Sequence, residues 1–488
     1  MNLTFKNGLY ICTCAFEDRN IAHRAGFYWD SVHKQWVTKD IKAAMRLRQY
    51  ADKEAKKELN RLLLVKTPWP HRLTWPKGLT PKNYQIEDVL FALSLNRCYL
   101  ALDPGLGKTI EAAMIRWALS DHHAVYICPP FLVETVKYEF DKWCYGIPIS
   151  IYPDSKISRK EVINELKGAR NNPSVLFVDE AHRFKNENAQ RSKALFREIA
   201  SIFNRVVLLS GTPMPNRPLE LFSVLSHFAP ETIDFMNAFE YGRKYCGGYI
   251  NDYGKWDFRG ASNMAELGKR VKEVFMRRRK KKDVLKELPP ITEELLILDG
   301  GLTKNVGALE ASIIRNAGGE DKLSHIAEND QLATYLRELG KLKAPAAVKY
   351  LKEFLEDTEE SILIFAIHRE VIAILEKGLA KFKPIVISGK VPTSKRFDLV
   401  KKFQSDNTRK VFIGNIQASG VGFTLTKATR VIFVEFDWVP GNNEQARDRA
   451  HRIGQNEKVL VQYMVFKDSI DRKKIETVLR KNQNIKHI

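Results

Sequence analysis

The residues with the most specific chemistry in this chain are Asp103-Pro104-Gly105-Leu106-Gly107-Lys108-Thr109. They follow the apolar run Cys98-Tyr99-Leu100-Ala101-Leu102 and precede Ile110-Glu111-Ala112-Ala113-Met114-Ile115, so they read as strand, phosphate loop and helix. The two glycines let backbone N–H groups turn inward around phosphate oxygens. Lys108 supplies a point charge for β- and γ-phosphates, and Thr109 offers a hydroxyl to Mg²⁺. The full pattern wants glycine where Leu102 stands, and taken alone the loop also reads as an accidental glycine-rich turn. A second signal follows the apolar run Ser174-Val175-Leu176-Phe177-Val178, which ends in Asp179-Glu180-Ala181-His182. After a buried strand, Asp179 can hold Mg²⁺ through its water shell while Glu180 orients and deprotonates an attacking water. An isolated Asp-Glu is usually a solvated turn; the apolar strand before it favours the functional reading.

From residue 79 onward the elements that must position these groups alternate strand and helix, the signature of a parallel sheet wrapped by helices. The apolar stretches 98–102, 124–128, 175–178 and 206–209 read as strands. They run into the phosphate loop, Pro129-Pro130, the Asp-Glu pair and Ser210-Gly211-Thr212-Pro213. Ligands of such sheets gather at the carboxyl ends of the strands. A second core follows, with a first strand over 291–298, mostly helix over 302–356, and buried-strand runs at 361–365, 385–387, 411–413 and 431–434.

Residues 1–66 read as a separate small module. Asn7-Gly8 is a hairpin signal, and the stretches 26–30 and 34–37 read as two short aromatic strands around a turn. A charged helix is expected from about Asp40 to Leu64. Trp29 and Trp36, beside His23, Arg24 and Lys34, form either an aromatic and basic surface for DNA or simply the core of a small domain. The Pro- and Trp-rich segment 67–78 reads as a linker.

At 488 residues the chain is long enough for more than one domain. Its 79 Lys+Arg against 58 Asp+Glu give a net charge of +21. That excess suggests a polyanion partner, and coincidence with a nucleotide-binding loop favours nucleic acid over a merely solvated basic surface. The six cysteines are too scattered for a disulfide framework, and Cys12/Cys14 lacks zinc spacing. With no membrane-length apolar run, the expectation is a soluble, unexported protein without a membrane partner.

The order of these motifs resembles superfamily two helicases, and specifically the Swi/Snf-like DNA-dependent ATPases, over roughly residues 79–480. The loop Asp103–Thr109 matches that family's form of the phosphate loop, which removes the objection at Leu102. Residues 79–85 resemble its adenine-reading segment, with Gln85 the base contact. Asp179-Glu180-Ala181-His182-Arg183-Phe184-Lys185-Asn186 matches the family's acidic box. Ser210-Gly211-Thr212-Pro213, with Asn216 following, matches the segment coupling hydrolysis to DNA grip. The run 277–284 before Leu288-Pro289-Pro290 matches the junction between lobes. Gln417-Ala418-Ser419-Gly420-Val421-Gly422 and the later run 445–455 match the segments of the second lobe. On a helix Gln445, Arg449 and Arg452 fall on one face.

The resemblance implies an α/β fold of two RecA-like parallel-sheet lobes, 79–290 and 291–488, with a small α+β N-terminal module. It implies ATP and Mg²⁺ bound by Gln85, Asp103, Gly105, Gly107, Lys108, Thr109 and Asp179, with Glu180 as base. Arg449 and Arg452 would reach across the cleft to the γ-phosphate while Gln445 senses it. His182, Lys185, Asn186, Ser210, Thr212, Asn216, Gly420 and Gly422, with Trp29 and Trp36 of the module, would contact DNA or couple to it. Residues 241–263 and 434–441 resemble the annealing helicases that remodel stalled forks, and the N-terminal aromatic pattern resembles their small HepA-related modules. The implied activity is ATP-driven translocation on duplex DNA that remodels branched substrates. Double-stranded and branched DNA would be the partners, in the cytoplasm of a bacterial or phage-infected cell, or in the nucleus if the source is eukaryotic. The alternatives are an ATPase that displaces protein from DNA or recycles RNA polymerase, and a non-catalytic DNA-binding scaffold.

Overall fold

A computed structural model describes residues 1–66, 78–168, 174–251, 254–317, 330–416, 424–467 and 469–478 without 473, 476 and 477. Gly420 and Gly422, and nearly all of the segment read as a linker, lie outside the described residues. The chain divides into two compact units that part between Lys280 and Lys281. Among the described residues no helix is long and apolar enough to cross a membrane.

The first unit opens with the antiparallel strands β1 (Asn2–Lys6), β2 (Leu9–Thr13), β3 (Tyr28–Asp30) and β4 (Gln35–Thr38), in the order β1-β2-β4-β3. Asn7 and Gly8 both have positive φ, 50° and 74°, as the tight turn of a twisted hairpin requires. The single charged helix expected from about Asp40 to Leu64 is two helices, Ile41–Arg46 and Lys53–Lys66, with a 3₁₀ turn between them. The break has a local cause. Ala51 pairs with Leu3 as an isolated bridge, the Asp52 N–H donates to the Leu3 carbonyl at 2.9 Å, and the Asp52 carboxylate then caps the next helix at Ala55 N–H. Tertiary pairing here overrides a strong helical pattern.

The module's core is Leu3, Tyr10, Phe27, Leu47, Leu59 and small residues around them. Trp36 packs partly against it, whereas its cross-strand partner Trp29 remains 51% exposed. Of the two readings of this tryptophan pair, a buried core is therefore excluded for Trp29.

The large sheet of the first unit is wholly parallel. Its strands are β5 (Arg97–Leu102), β6 (His123–Cys128), β7 (Ser150–Pro153), β8 (Ser174–Val178), β9 (Arg205–Ser210) and, after a short antiparallel hairpin β10 (Tyr249–Ile250) and β11 (Trp256–Asp257), the edge strand β12 (Met276–Arg279). The spatial order β12-β5-β9-β8-β6-β7 sets β5, β9 and β8 side by side. Strands lie about 4.8 Å apart, so three motif-bearing carboxyl ends fall within about 10 Å.

β12 is the surprise of this sheet, because Met276-Arg277-Arg278-Arg279 carries no apolar pattern. It is held by charge: Arg278 reaches Asp103 at 2.7 Å, and Arg279 reaches Glu87 at 2.6 Å and buried Asp88 at 2.9 Å. Burial pushes the Asp88 carboxyl up to about 6 against the pull of Arg279.

Residues of the module dock onto this lobe through a largely buried polar cluster. The Asp234 carboxylate accepts from the Tyr50 hydroxyl and pairs with Arg270 at 2.7 Å; Arg270 also donates to the Thr232 carbonyl at 3.1 Å and to the Tyr50 oxygen. Gln49 donates to the Glu231 carbonyl at 2.7 Å. Asp234→Ala leaves the buried guanidinium with only the longer contact to Glu266 at 3.5 Å, which costs at most about 3–5 kcal/mol. The expected result is early release of a fragment near residue 66 in limited proteolysis, with a new low-denaturant transition. Asp234→Ala combined with Arg270→Met should recover most of the loss, and failure to do so would show that the cluster does not hold the module.

The second unit is another parallel sheet, with β13 (Ile291–Leu298), β14 (Ile362–Ala366), β15 (Ile385–Ile387), β16 (Val411–Asn415), β17 (Arg430–Phe433) and β18 (Val459–Phe466) in the order β13-β18-β17-β14-β16-β15. The helices Lys304–Ala317 and Asp330–Glu356 belong to one of its two apolar layers. β18, not singled out from the sequence, lies between β13 and β17. Its Gln462 interrupts the apolar run but is satisfied by Glu294 at 2.6 Å and Arg430 at 3.2 Å. The architecture is two parallel-sheet α/β lobes with a small α+β N-terminal module, as the strand and helix pattern implied.

Candidate functional site

The phosphate loop leaves β5 as expected. Gly105 and Gly107 sit at φ +93° and +92°, a backbone region in which L side chains are strained. At Gly107 a Cβ would also come within 2.5 Å of Gln85 Nε2. Lys108 opens the helix Lys108–Ala118, and its ammonium donates to the Leu102 carbonyl at 3.1 Å. Gln85 is buried and uses both ends of its amide. Its Oε1 accepts from the Lys82 N–H at 2.9 Å, capping the helix Asn83–Ser94, while its Nε2 faces Gly107. Asp103 is fixed to the sheet by Arg278, and its N–H donates to the Arg279 carbonyl at 3.1 Å.

Asp179 and Glu180 follow β8, two strands away. Asp179 is buried, and burial first, then the neighbouring Glu180, pushes its carboxyl up to about 7. The Tyr126 hydroxyl donates to Asp179 Oδ2 at 2.9 Å and also interacts with the Thr109 side chain. Tyr126 thus ties together the two residues assigned to the metal, a role the sequence hid inside an apolar strand. Glu180 has φ +48°, a left-handed conformation costly for a residue with a Cβ. That conformation turns the chain sharply off the strand into a short 3₁₀ helix over Ala181–Phe184.

His182 joins two motifs. Its Nδ1 lies 3.3 Å from Glu180 Oε2 and 2.8 Å from Ser210 Oγ, and the Thr212 N–H donates to the same Ser210 oxygen at 3.1 Å. Burial holds the imidazole below its ordinary pKa, so its neutral form is favoured and one ring nitrogen can accept. Beyond it, Arg183 pairs with buried Asp154 at 2.6 Å, and Lys185 pairs with Glu220 at 2.5 Å. Glu220 also accepts from the Asn216 N–H at 2.9 Å. The Asn186 side chain accepts from the Asn188 N–H at 3.0 Å and shapes a turn. The acidic box and the Ser-Gly-Thr segment are therefore connected twice, through His182–Ser210 and through Glu220. Tyr126, Asp154, Glu220 and Arg278 are the site residues that sequence reasoning missed. Only Arg278 left a signal, as part of the basic run.

In the second unit the expectation of one continuous helical face is corrected. The helix Pro440–Arg447 carries Gln445 but ends at Arg447, so Arg449 and Arg452 lie in the turn that follows. The cause is Asp448. Burial pushes its carboxyl up, but Lys281 at 3.0 Å and Arg447 at 3.3 Å outweigh this and hold it at about 2. The Leu425 N–H donates to the Arg449 carbonyl at 2.9 Å, Arg452 Nε donates to the Asp448 carbonyl at 3.0 Å, and Gln455 Nε2 donates to the carbonyls of Thr426, Ala428 and Ala450. Arg447, Asp448 and Gln455, together with His451, whose Nε2 lies 2.7 Å from the Pro289 carbonyl, build this loop. Arg449 is buried in it and Arg452 partly so.

Residues 144–300 match the SNF2-related domain, and residues 346–454 match the helicase conserved C-terminal domain. The mouse protein "DNA annealing helicase and endonuclease ZRANB3" is 32% identical over 433 residues, covering 80% of this chain and 39% of that protein. A "SWI/SNF-related matrix-associated actin-dependent regulator of chromatin subfamily A-like protein 1" of Xenopus tropicalis is 32% identical over 407 residues, covering 80% of this chain and 43% of that protein. The chain spans about two fifths of the length of these relatives. A solved structure, the Sulfolobus solfataricus SWI2/SNF2 ATPase core in complex with dsDNA, aligns at 22% identity and a TM-score of 0.38 over 82% of this chain and 91% of that one. The chain belongs to the SNF2-related helicase family.

Proposed function

We propose that this protein is a DNA-dependent ATPase that translocates on double-stranded DNA and remodels branched substrates by annealing, branch migration or fork reversal. The observation that carries the reading is the position of His182, whose Nδ1 meets Ser210 Oγ at 2.8 Å and lies 3.3 Å from Glu180 Oε2, because it sets a residue placed to activate water beside the segment proposed to sense DNA. The name of the mouse relative, a DNA annealing helicase, supports the annealing part.

In the proposed reaction, inward-turned N–H groups of the glycine loop and the Lys108 ammonium hold the β- and γ-phosphates of ATP. Glu180 accepts a proton from the attacking water as its oxygen bonds to the γ-phosphorus and the bond to the bridging oxygen breaks, giving ADP and phosphate. Thr109 and Asp179, tied by Tyr126, fit Mg²⁺, which when bound would neutralise charge on the same phosphates. Arg449 and Arg452 supply positive charge to the γ-phosphate at the transition state. Basic residues that contact DNA phosphates make the proposed binding largely sequence independent and steeply weakened by salt.

ATP turnover and branch migration, measured in parallel on blunt duplex, forked and four-way DNA, test the reading. The expected result is DNA-stimulated turnover on all three, higher on fork and four-way DNA, with ATP-dependent migration of the latter. Turnover that ignores DNA would overturn the motor. Equal stimulation without migration would overturn the remodelling.

A further inference from the structure

The hairpin β10–β11 and the helix Ala238–Tyr245 beside it have no part in the nucleotide site, yet they carry a dense group of exposed aromatic side chains. Phe239 is 44% exposed, Trp256 40% and its cross-strand partner Ile250 59%. Single exposed apolar residues need no explanation, but a contiguous cluster does. The rings are mutually fixed: Trp256 and Phe258 stack at 5.8 Å with 13° between their planes, and Phe239 meets both edge-on at 5.1 and 5.7 Å.

The platform is built rather than incidental. At Gly242 and Gly248 a Cβ would approach the Phe258 ring to 2.6 and 2.7 Å, so these glycines are what lets the ring seat against the helix. Asp257, buried in the hairpin, clamps Arg259 through its N–H at 2.8 Å and its Nε at 2.9 Å. Tyr241, fully buried, donates its hydroxyl to the Pro218 carbonyl at 2.9 Å, which fastens the platform close to Asn216 in the segment proposed to sense DNA. A cation borders the aromatic face: the Arg243 guanidinium lies over the Trp256 ring at 5.6 Å.

We propose that this face is a stacking platform for unpaired nucleobases, gripping the single-stranded segment of a DNA branch with Trp256 while Arg243 meets its phosphates. Flat exposed rings bordered by a cation fit a chain of flat bases joined by anions, and they do so without regard to sequence. The inference deepens the proposed function and rests on its choice of DNA as partner. Stacking here gives the motor a means of preferring branched over plain duplex DNA that does not involve the N-terminal module.

The test is binding of a sixteen-residue oligothymidylate by the full chain in the absence of nucleotide, set beside ATP turnover on blunt duplex. Trp256→Ala and Trp256→Leu should each weaken oligothymidylate binding about tenfold or more. Trp256→Phe should restore most of it, and turnover on blunt duplex should stay at the parent level in all three. Loss with Ala but parental binding with Leu would mark an apolar docking face for protein and overturn the proposal, as would unchanged binding in both. An equal fall in blunt-duplex turnover would reveal a structural role and overturn it as well. A parent chain that binds oligothymidylate through Trp256 yet shows no DNA-stimulated turnover would uphold the platform while refuting the motor.

Discussion

Glu180→Gln should slow ATP turnover about a hundredfold to ten-thousandfold, the range that a positioned general base contributes, while nucleotide affinity changes little. The substitution keeps the size and the polar contacts of the side chain. Its neighbour His182, neutral in this buried setting, can meet an amide as well as a carboxylate, so the link to Ser210 should survive. What is lost is the ability to take a proton from water. The left-handed backbone at residue 180 remains too, so the direction of the side chain is preserved. Turnover in saturating duplex DNA, compared with equilibrium binding of a fluorescent ATP analogue, separates the two effects. Parental turnover would remove Glu180 from the base role, and a large fall in nucleotide binding would make it a ligand instead.

Arg452→Ala should cost about three to five orders of magnitude in DNA-stimulated turnover, as loss of an arginine finger does. Here the structure offers a clean experiment. The loop is built by Arg447, Asp448, His451 and Gln455, and Arg452 adds to it a donation to the Asp448 carbonyl. The truncated protein loses that one hydrogen bond, so its thermal midpoint should fall by a few degrees at most while its affinity for ATP is kept. Arg452→Lys, which retains charge but not the planar fork, should recover only a small part of the rate. Equal turnover in parent and Ala protein would take Arg452 out of the mechanism, leaving Arg449 to be tested in the same way.

The sequence made the parallel strands readable because they are buried on both faces and run apolar, as at β5, β8 and β14. The places of residues 103–109 and of Asp179-Glu180 at the ends of β5 and β8 were equally legible, since each follows directly from the apolar run before it. Two kinds of feature were not. β12 is a strand made of arginines, stabilised by carboxylates nearly two hundred positions away in Glu87 and Asp88, and no local pattern predicts such pairing. The end of the helix at Arg447 is likewise decided by a distant partner, Lys281, reaching Asp448. Helical spacing put Gln445, Arg449 and Arg452 on one face only by assuming a helix that this ion pair stops. The same rule explains Tyr126, whose hydroxyl finds Asp179 from a position that reads as ordinary apolar strand.

The buried cluster of Tyr50, Asp234 and Arg270 has a consequence for how two weak grips would add up. A tethered module presents its binding face at an effective concentration set by the length of its linker, in the millimolar range for short flexible ones. A docked module is different, because its distance from the lobe it sits on does not fluctuate with the tether. Under the proposed function, DNA held at Trp29 would meet the first lobe at a fixed separation, and the two affinities would combine as a product only for substrates whose geometry matches that separation. The docking cluster would then act as a ruler, rewarding one shape of DNA and giving others no more than a single grip.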